Sequence, residues 1–513
     1  MASKQREISV SEFFAKNRHL LGFDNPAKAL LTTVKEAVDN SLDACEEAQI
    51  LPEIHVEIEQ LAEERFRVAV EDNGPGIVRA QIPKIFGKLL YGSKFHTFRQ
   101  ARGQQGIGIS AAGMYGLLTT GQPMKIFSRI GSNRPAYAFE LTIDTRTNQP
   151  NIRSEEQFEW DKEHGTRVEM ILEATYKKGR HSVDGYLRQV AISNPHLELI
   201  YNPPSGAENG EPVHFVRVTD EIPPQPKEIL PHPYGVELGV LIQLLSESKL
   251  QNLSSFLQRQ FSRVTLRVAS LILETAEIRG NTRPNRLKHQ DAEKLHAAMN
   301  TVKIMVPPTN CLSPIGEKQL MESLAQEIEA DFVTAVTRPP AVYRGIPFQI
   351  EVGFAFGGNL NAEDLISLYR YANRVPLLYQ QSACAITKSV LGVDWKKYRL
   401  SQARGALPSG PLIVVCHMAS AWVPFTSESK ESIAHYPEIL KEIRLALQEA
   451  GRRLASHIGR RRKEKEEAQK RSYIQKYIPH IGIALQSILS LKDAEREKTV
   501  DLLSSILEKS RKM

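Results

Sequence analysis

Between residues 36 and 166 four short stretches succeed one another and leave the chain between them little freedom in how it can fold: EAVDNSLDA at 36–44, DNGPG at 72–76, GQQGIGIS at 103–110, and Gly165-Thr166. The first has helical period, which sets Glu36, Asn40 and Asp43 on one stripe with Asp39 beside it. A carboxylate and a carboxamide then point the same way. A Glu carboxylate can serve as a general base, and an Asn oxygen is a hard ligand suited to Mg2+. Standing alone, such a segment would read as a solvated acidic helix face; its three companions change that reading.

DNGPG follows the strand-like run FRVAVE. Its glycines, Gly76 among them, permit close backbone approach, and Asp72 can accept a hydrogen bond from an exocyclic amine of the kind adenine carries. The third stretch precedes the small-residue helix AAGMYG, and glycine-exposed amides at a helix N-terminus cradle phosphate. The polar run FRQAR stands before it where a dinucleotide-binding fingerprint needs a buried strand, and the chain has no GxxxxGK[ST]. Gly165-Thr166 opens the strand TRVEMIL, where the Thr166 hydroxyl could assist the Asp72 contact.

With 513 residues the chain exceeds what one hydrophobic core supports, so several domains are expected. Helical and strand-like runs alternate through residue 202, the mark of α/β layers. Clustered Pro and Gly from 202 to 233 form a connector with a boundary near 226. Residues 234–306 carry almost only amphipathic helical stretches. A second α/β domain follows, in which Phe348, Ile350, Val352, Phe354 and Phe356 share a strand face and PLIVVC reads as a fully buried strand. From His435 the pattern is helical and increasingly charged, with nine Lys or Arg against three Glu in residues 452–471, and another apolar helical stretch follows Pro479. Cys45, Cys311, Cys384 and Cys416 are too scattered for a zinc pattern and too few for a disulfide scaffold, which favours a reducing cytoplasm. No segment reads as a signal peptide or a membrane span, and a hydrophobic content of 41% excludes disordered and fibrous classes.

The four stretches in this order resemble the Bergerat ATP-binding fold of the GHKL superfamily. ISVSEFFAKNRHLLGFDNPAKAL before the first, KIFGKLLYGSKFH between the second and third, and NPHLEL at 194–199 further resemble the B subunits of topoisomerase VI. That resemblance implies an α/β, layered α+β ATPase domain at 1–226, a helix-two-turns-helix domain at 227–306, a transducer domain with a long C-terminal helix at 307–471, and a helical tail at 472–513. It implies ATP and Mg2+ as cofactors. Glu36 matches the general base, Asn40 the magnesium-holding residue and Asp72 the adenine contact, with Gly76 and Thr166 beside it. Ser93 and Lys94 match the nucleotide lid. Gly103, Gln104, Gln105, Gly106, Ile107, Gly108, Ile109 and Ser110 match the phosphate loop, and Lys430, in TSESKESIAH, matches the transducer lysine that reaches the terminal phosphate.

The implied assembly holds two A and two B chains; the B chains dimerise on ATP and close around double-stranded DNA, while the A subunit supplies the cleaving tyrosine. None of the 15 tyrosines here is expected to be catalytic. The family's strand-rich C-terminal appendage is not seen, only the basic helical tail. That tail and Arg263, Arg267, Arg279, Arg283, Arg286 and Lys288 of the helical insert are candidate DNA contacts. The alternative is a MutL-like DNA-repair ATPase, against which the helical insert argues; a non-hydrolysing scaffold sits poorly with an intact Glu36 and Asn40. The location expected is cytoplasmic, nucleoid-associated in a prokaryote, with no membrane.

Overall fold

The computed structural model describes residues 8–94, 97–103, 106–179, 181–205, 211–427 and 429–509, the side chains of 471 and 507–509 excepted. The chain divides into two compact units, one of Met1–Val393 with Gln402–Ala450, the other of Asp394–Ser401 with Gly451–Met513.

The first unit opens on five helices and an eight-stranded sheet. The helices are α1 (Val10–Lys16), α2 (Pro26–Glu47), α3 (Ile82–Gly87), α4 (Gly108–Thr120) and α5 (Val183–Ser193). The strands are β1 (Glu53–Ala62), β2 (Arg65–Asp72), β3 (Met124–Arg129), β4 (Ala136–Asp144), β5 (Gln149–Phe158), β6 (Gly165–Glu173), β7 (Glu198–Asn202) and β8 (Val213–Phe215), in the order β5-β4-β3-β6-β2-β1-β7-β8. Among the described residues of this sheet, only β1 and β7 pair in parallel. Alternation decides the layering: β1 buries Ile54, Val56 and Ile58 and turns the residues between them outward. Side chains of α2, α4 and α5, among them Leu30, Val34, Leu42, Met114 and Leu187, share one core with these strands.

Helix α2 begins where Asn25 caps it, accepting from the Lys28 amide at 2.9 Å, with Pro26 at the first helical position. Ala29, Leu30, Val34, Ala37, Val38, Leu42 and Cys45 form its buried face. The polar stripe of Glu36, Asn40 and Asp43 is thereby left along one edge.

Four helices follow: α6 (Leu238–Glu247), α7 (Leu253–Gln260), α8 (Leu266–Thr275) and α9 (His289–Thr301). They enclose a core of their own, with Leu241, Phe256, Leu257, Ile272, Leu295 and Met299 fully buried. Arg263, Arg267, Arg279, Arg283, Arg286 and Lys288 are all exposed on this part.

A six-stranded sheet completes the unit. It is built from β9 (Phe332–Thr337), β10 (Ala341–Tyr343), β11 (Ile346–Phe356), β12 (Ser367–Ala372), β13 (Val375–Pro376) and β14 (Leu412–Ser420), with α10 (Glu317–Glu327) and α11 (Ala385–Leu391). β11 pairs antiparallel with β9, β10 and β14, and β14 runs parallel to β12. Every residue of β14 is buried, as its continuous apolar run demands. Glu351 and His417 lie fully buried in this sheet. The His417 Nδ1–H donates to Glu351 Oε2 at 2.8 Å, and the carboxylate also accepts from the amides of Ile315 and Gly316 and from the Thr337 hydroxyl. The long helix α12 (Pro437–Leu489) starts in this unit, burying Ile439, Ile443, Ala446 and Leu447.

In the second unit Trp395 and Tyr398 sit on a short 3-10 turn, and the Tyr398 ring lies so close to Gly451 that a Cβ there would come within 2.8 Å of it. Helix α12 runs without interruption through 471–472 and through Pro479, and the reversal comes at Ser490, which is left-handed at φ 53°. A proline removes one bond, here to the carbonyl of Gln475, and that loss is local. Beyond it α13 (Asp493–Lys509) packs back on α12, with Val500 lying where a Cβ on Gly482 would be.

Candidate nucleotide site

A cavity of about 670 Å³ opens at the polar edge of α2. Its walls carry Glu36, Asn40, Asp72, Gly76, Ser93, Lys94, Gly103, Gly106, Ile107, Gly108, Ile109, Thr166 and Lys430, so all but three of the residues matched to the nucleotide site from the sequence converge on it. Gln104 and Gln105 lie outside the described residues. Ser110 is turned away: its buried hydroxyl donates to the carbonyls of Ile85 and Lys88 at 3.0 and 3.1 Å. The first turn of α4 points that side chain at the C-terminal end of α3, so any part Ser110 takes in a phosphate loop falls to its backbone.

At the floor, Asp72 ends β2 and is buried. Its Oδ1 accepts from the amides of Gly74 at 2.9 Å and Thr166 at 3.2 Å, and its Oδ2 from the Ser41 hydroxyl at 2.7 Å. Burial raises its carboxyl above the ordinary value, with these bonds pulling the other way. The β2–β6 register sets Thr166 directly opposite Asp72, and the Thr166 hydroxyl pairs with that of Ser128 at 3.1 Å. Gly76 is left-handed at φ 70°, and a Cβ there would meet the Arg129 carbonyl at 1.9 Å, so this turn admits only glycine.

Midway along α2, Glu36 lies against the start of α4. Its Oε2 sits 1.7 Å from where a Cβ on Gly108 would stand, and its Oε1 accepts from the Lys35 ammonium at 2.9 Å. Lys35 also pairs with Asp39 at 3.2 Å. Burial would raise the Glu36 carboxyl, but Lys35, and beyond it Lys430, hold it below its ordinary value, so it is ionised at neutral pH. Asp39 is buried rather than presented to the cavity as strongly as its neighbours; the Tyr186 hydroxyl donates to it at 3.3 Å, and burial raises its carboxyl. Asn40 is exposed at the rim.

Asp43 holds cations. Lys94 reaches it at 2.6 Å and Arg102 at 3.0 Å. Arg102, one residue before Gly103, also forks onto Glu46 at 2.6 and 2.7 Å. His196 Nε2 lies 2.7 Å from the same Glu46, and Arg374, in the β12–β13 turn, lies 3.6 Å away. Against burial, these partners hold the Glu46 carboxyl well below its usual range. Asp43, Lys94 and His196 lie in stretches already marked in the sequence, but nothing there shows that they meet Arg102, Glu46 and Arg374.

The second sheet supplies the far wall through Ala372, Asn373, residues 375–379, Phe425 and residues 429–431. Lys430 stands there at a left-handed φ of 54°. Lys28, Lys35, Ser41 and Glu431 were not picked out from the sequence. Ser41 could have been found, because it lies within the motif helix.

Comparisons with known proteins agree with this geometry. The family of histidine kinase-, DNA gyrase B- and HSP90-like ATPases matches residues 25–175, and the transducer of the topoisomerase VI B subunit matches residues 307–470. The chain is 49% identical over 490 residues to the type 2 DNA topoisomerase 6 B subunit of Methanococcoides burtonii, covering 95% of this chain and 78% of that one. It is 48% identical over 512 residues to the protein of the same name from Archaeoglobus fulgidus, covering 100% and 84%. With an ATPase domain that binds and hydrolyses ATP and a transducer domain beside it, the chain belongs to the family of type 2 DNA topoisomerase 6 B subunits.

Proposed function

We propose that this chain works as an ATP-operated gate, with Glu36 as general base at a site completed by Lys430 of the second sheet. The observation that carries the reading is the meeting of Glu36, Asn40, Asp72, the glycine loop and Lys430 on one cavity, though nearly 400 residues separate the first from the last. Asp72 accepts from the adenine amine, with Thr166 beside it, and the amides of Gly106, Ile107, Gly108 and Ile109 face the phosphates from the start of α4. Ionised Glu36 takes a proton from the attacking water as its oxygen bonds to the terminal phosphorus and the bond to the ADP oxygen breaks. Lys430 meets the charge that gathers on the transferred group, so the second sheet registers whether that group is present. Ser93 and Lys94 serve as lid.

The described residues offer no cluster of three His, Cys, Asp or Glu for a metal ion. One exposed Asn40 oxygen at the rim suits Mg2+ held mostly by phosphates and water. Bound there, Mg2+ would neutralise phosphate charge.

In this reading residues 1–226 are the ATPase domain, 227–306 the helix-two-turns-helix domain, 307–471 the transducer and 472–513 a tail. Two such chains dimerise on binding ATP around double-stranded DNA, in a heterotetramer with two A subunits that cut the DNA. The exposed arginines of the helical part and the basic run of α12 are the candidate phosphate contacts. Among the described residues no helix is long and apolar enough to cross a membrane, and a cytoplasmic location is proposed.

Glu36→Ala tests the assignment. It should lower ATP turnover by about 10²–10⁴-fold, the usual worth of a general base, while ADP affinity is kept; unaltered turnover would refute it. ATP-dependent relaxation of supercoiled DNA by the chain with its A subunit tests the gate, and relaxation without ATP would remove it.

A further inference from the structure

Lys430 is carried by a loop whose neck is closed by the bridge between Phe425 and Ile433 and by the Thr426 amide donating to the Ser432 carbonyl at 2.9 Å. Within it the Lys430 amide donates to the Ser427 carbonyl at 3.1 Å, and the left-handed backbone at Lys430 fixes which way its side chain leaves. Behind the loop Arg370, 2% exposed, donates to the carbonyls of Leu377 at 2.7 Å, Tyr379 at 2.8 Å and Glu431 at 3.5 Å.

The next side chain, Glu431, points to the other domain and meets the Lys28 ammonium at 2.7 Å. Both ends of this pair are shielded, with side chains 13% and 10% exposed. Lys28 is further held by Asp24 at 3.0 Å and lies 4.8 Å above the Tyr379 ring. Lys28 stands on α2 eight residues before Glu36, two turns along the same edge, and both line the cavity. One rigid helix therefore carries the base and, about 12 Å away at 1.5 Å per residue, the contact that ties down the neighbour of Lys430.

We infer that Lys28 is a positioning residue for the ATPase reaction: through Glu431 it sets the register of Lys430 against Glu36, so that base and cation meet the terminal phosphate from fixed positions. This rests on Lys430 reaching that phosphate, as proposed. A shielded pair holds geometry better than an exposed one, which water and salt loosen. The tie is made by protein groups alone and draws on no phosphate oxygen.

The experiment is a double-mutant cycle on the full chain with Lys28→Met and Glu431→Gln, reading ATP turnover, ADP affinity by calorimetry, and melting temperature. Each single change should lower turnover about tenfold, a common size for a coupled contact pair, with ADP affinity and melting temperature kept. The double variant should be no slower than the slower single, and Lys28→Arg should recover most of the rate. Full turnover in Lys28→Met, multiplying losses in the double variant, or ADP affinity falling in step with turnover would each overturn the inference. Lys430→Ala separates the two levels. If it slows hydrolysis while Lys28→Met does not, only the positioning role fails; if it leaves turnover intact, the reading of Lys430 fails and this inference with it.

Discussion

Gly108→Ala should separate catalysis from stability in this fold. A Cβ at residue 108 would stand 1.7 Å from Glu36 Oε2, 2.4 Å from its Cδ and 2.9 Å from its Cγ. Since real Cβ atoms essentially never approach another heavy atom within 3.0 Å, the carboxylate must retreat by 1.3 Å or more. The backbone at Gly108, the first residue of α4, has no left-handed φ, so alanine fits it without backbone strain. Stability should therefore hold. A catalytic group misplaced by about 1 Å loses roughly 10²-fold, so turnover should fall by about that factor, bounded below by the rate of Glu36→Ala. Phosphate release gives turnover, calorimetry the ADP affinity and thermal melting the stability. Turnover within threefold of the parent would refute the argument, as would a loss of rate that merely follows a loss of folded protein.

Three further outcomes follow from the same geometry. Asp72→Asn places a carboxamide NH2 donor where the adenine amine should donate or where Oδ2 accepts from the Ser41 hydroxyl; ADP affinity should fall roughly ten- to hundredfold, the 1–3 kcal/mol of a broken buried bond, as calorimetry would show. In Lys35→Met the leading cation beside Glu36 is lost, so the acidic limb of the turnover profile, set by ionisation of the base, should move to higher pH; a fixed limb would mean that another group is being titrated. Glu351→Ala leaves the His417 ring, two amides and the Thr337 hydroxyl unmatched in a buried part of the sheet, and should cost at least about 1–3 kcal/mol in denaturant unfolding, the penalty of one buried group left unpaired. Because the Glu351 carboxyl is held below its ordinary value, its contribution is present above the unfolded carboxyl's titration and fades as pH falls through the lower folded one. The parent should therefore lose more stability on acidification than the variant.

What could be read from the sequence was periodic or local. The stripe of α2 and the buried run of β14 are patterns of period 3.6 and of unbroken apolarity, and both stand in the structure as those patterns require. The DNGPG turn was legible because Gly76 meets a constraint that only glycine satisfies. The unread parts are held by contacts between distant polar residues, which impose no period on either partner. FRQAR reads as a polar run, yet Gln100 and the Arg102 side chain in it are buried. Gln100 exchanges bonds with the backbone of Ser313 at 2.9 and 2.7 Å, and Arg102 is caged by Asp43 and Glu46. Pro479 is likewise no stop: it costs α12 one bond, and the turns on either side continue the helix.

The same contacts bear on how a nucleotide could be sensed. The stem of the glycine loop is tied to the second sheet's side of the unit three times, by Gln100 on Ser313, by the Asn373 amide on the Ala101 carbonyl at 3.0 Å, and through Glu46 by Arg374. Asn373 and Arg374 are both left-handed, at φ 49° and 68°, a conformation costly for non-glycine residues. The cost is offset where the turn is held: Asn373 accepts from Ser420, the Arg374 amide donates to His417, and its guanidinium donates to Ser313 and Pro314. The stem of the glycine loop and the loop that bears Lys430 are thus tied to the second sheet, while Glu36 on α2, Asp72 and the first turn of α4 belong to the first. If Lys430 reaches the terminal phosphate as proposed, losing that phosphate would shift the balance between these attachments by as much as the nucleotide binds the two arrangements differently.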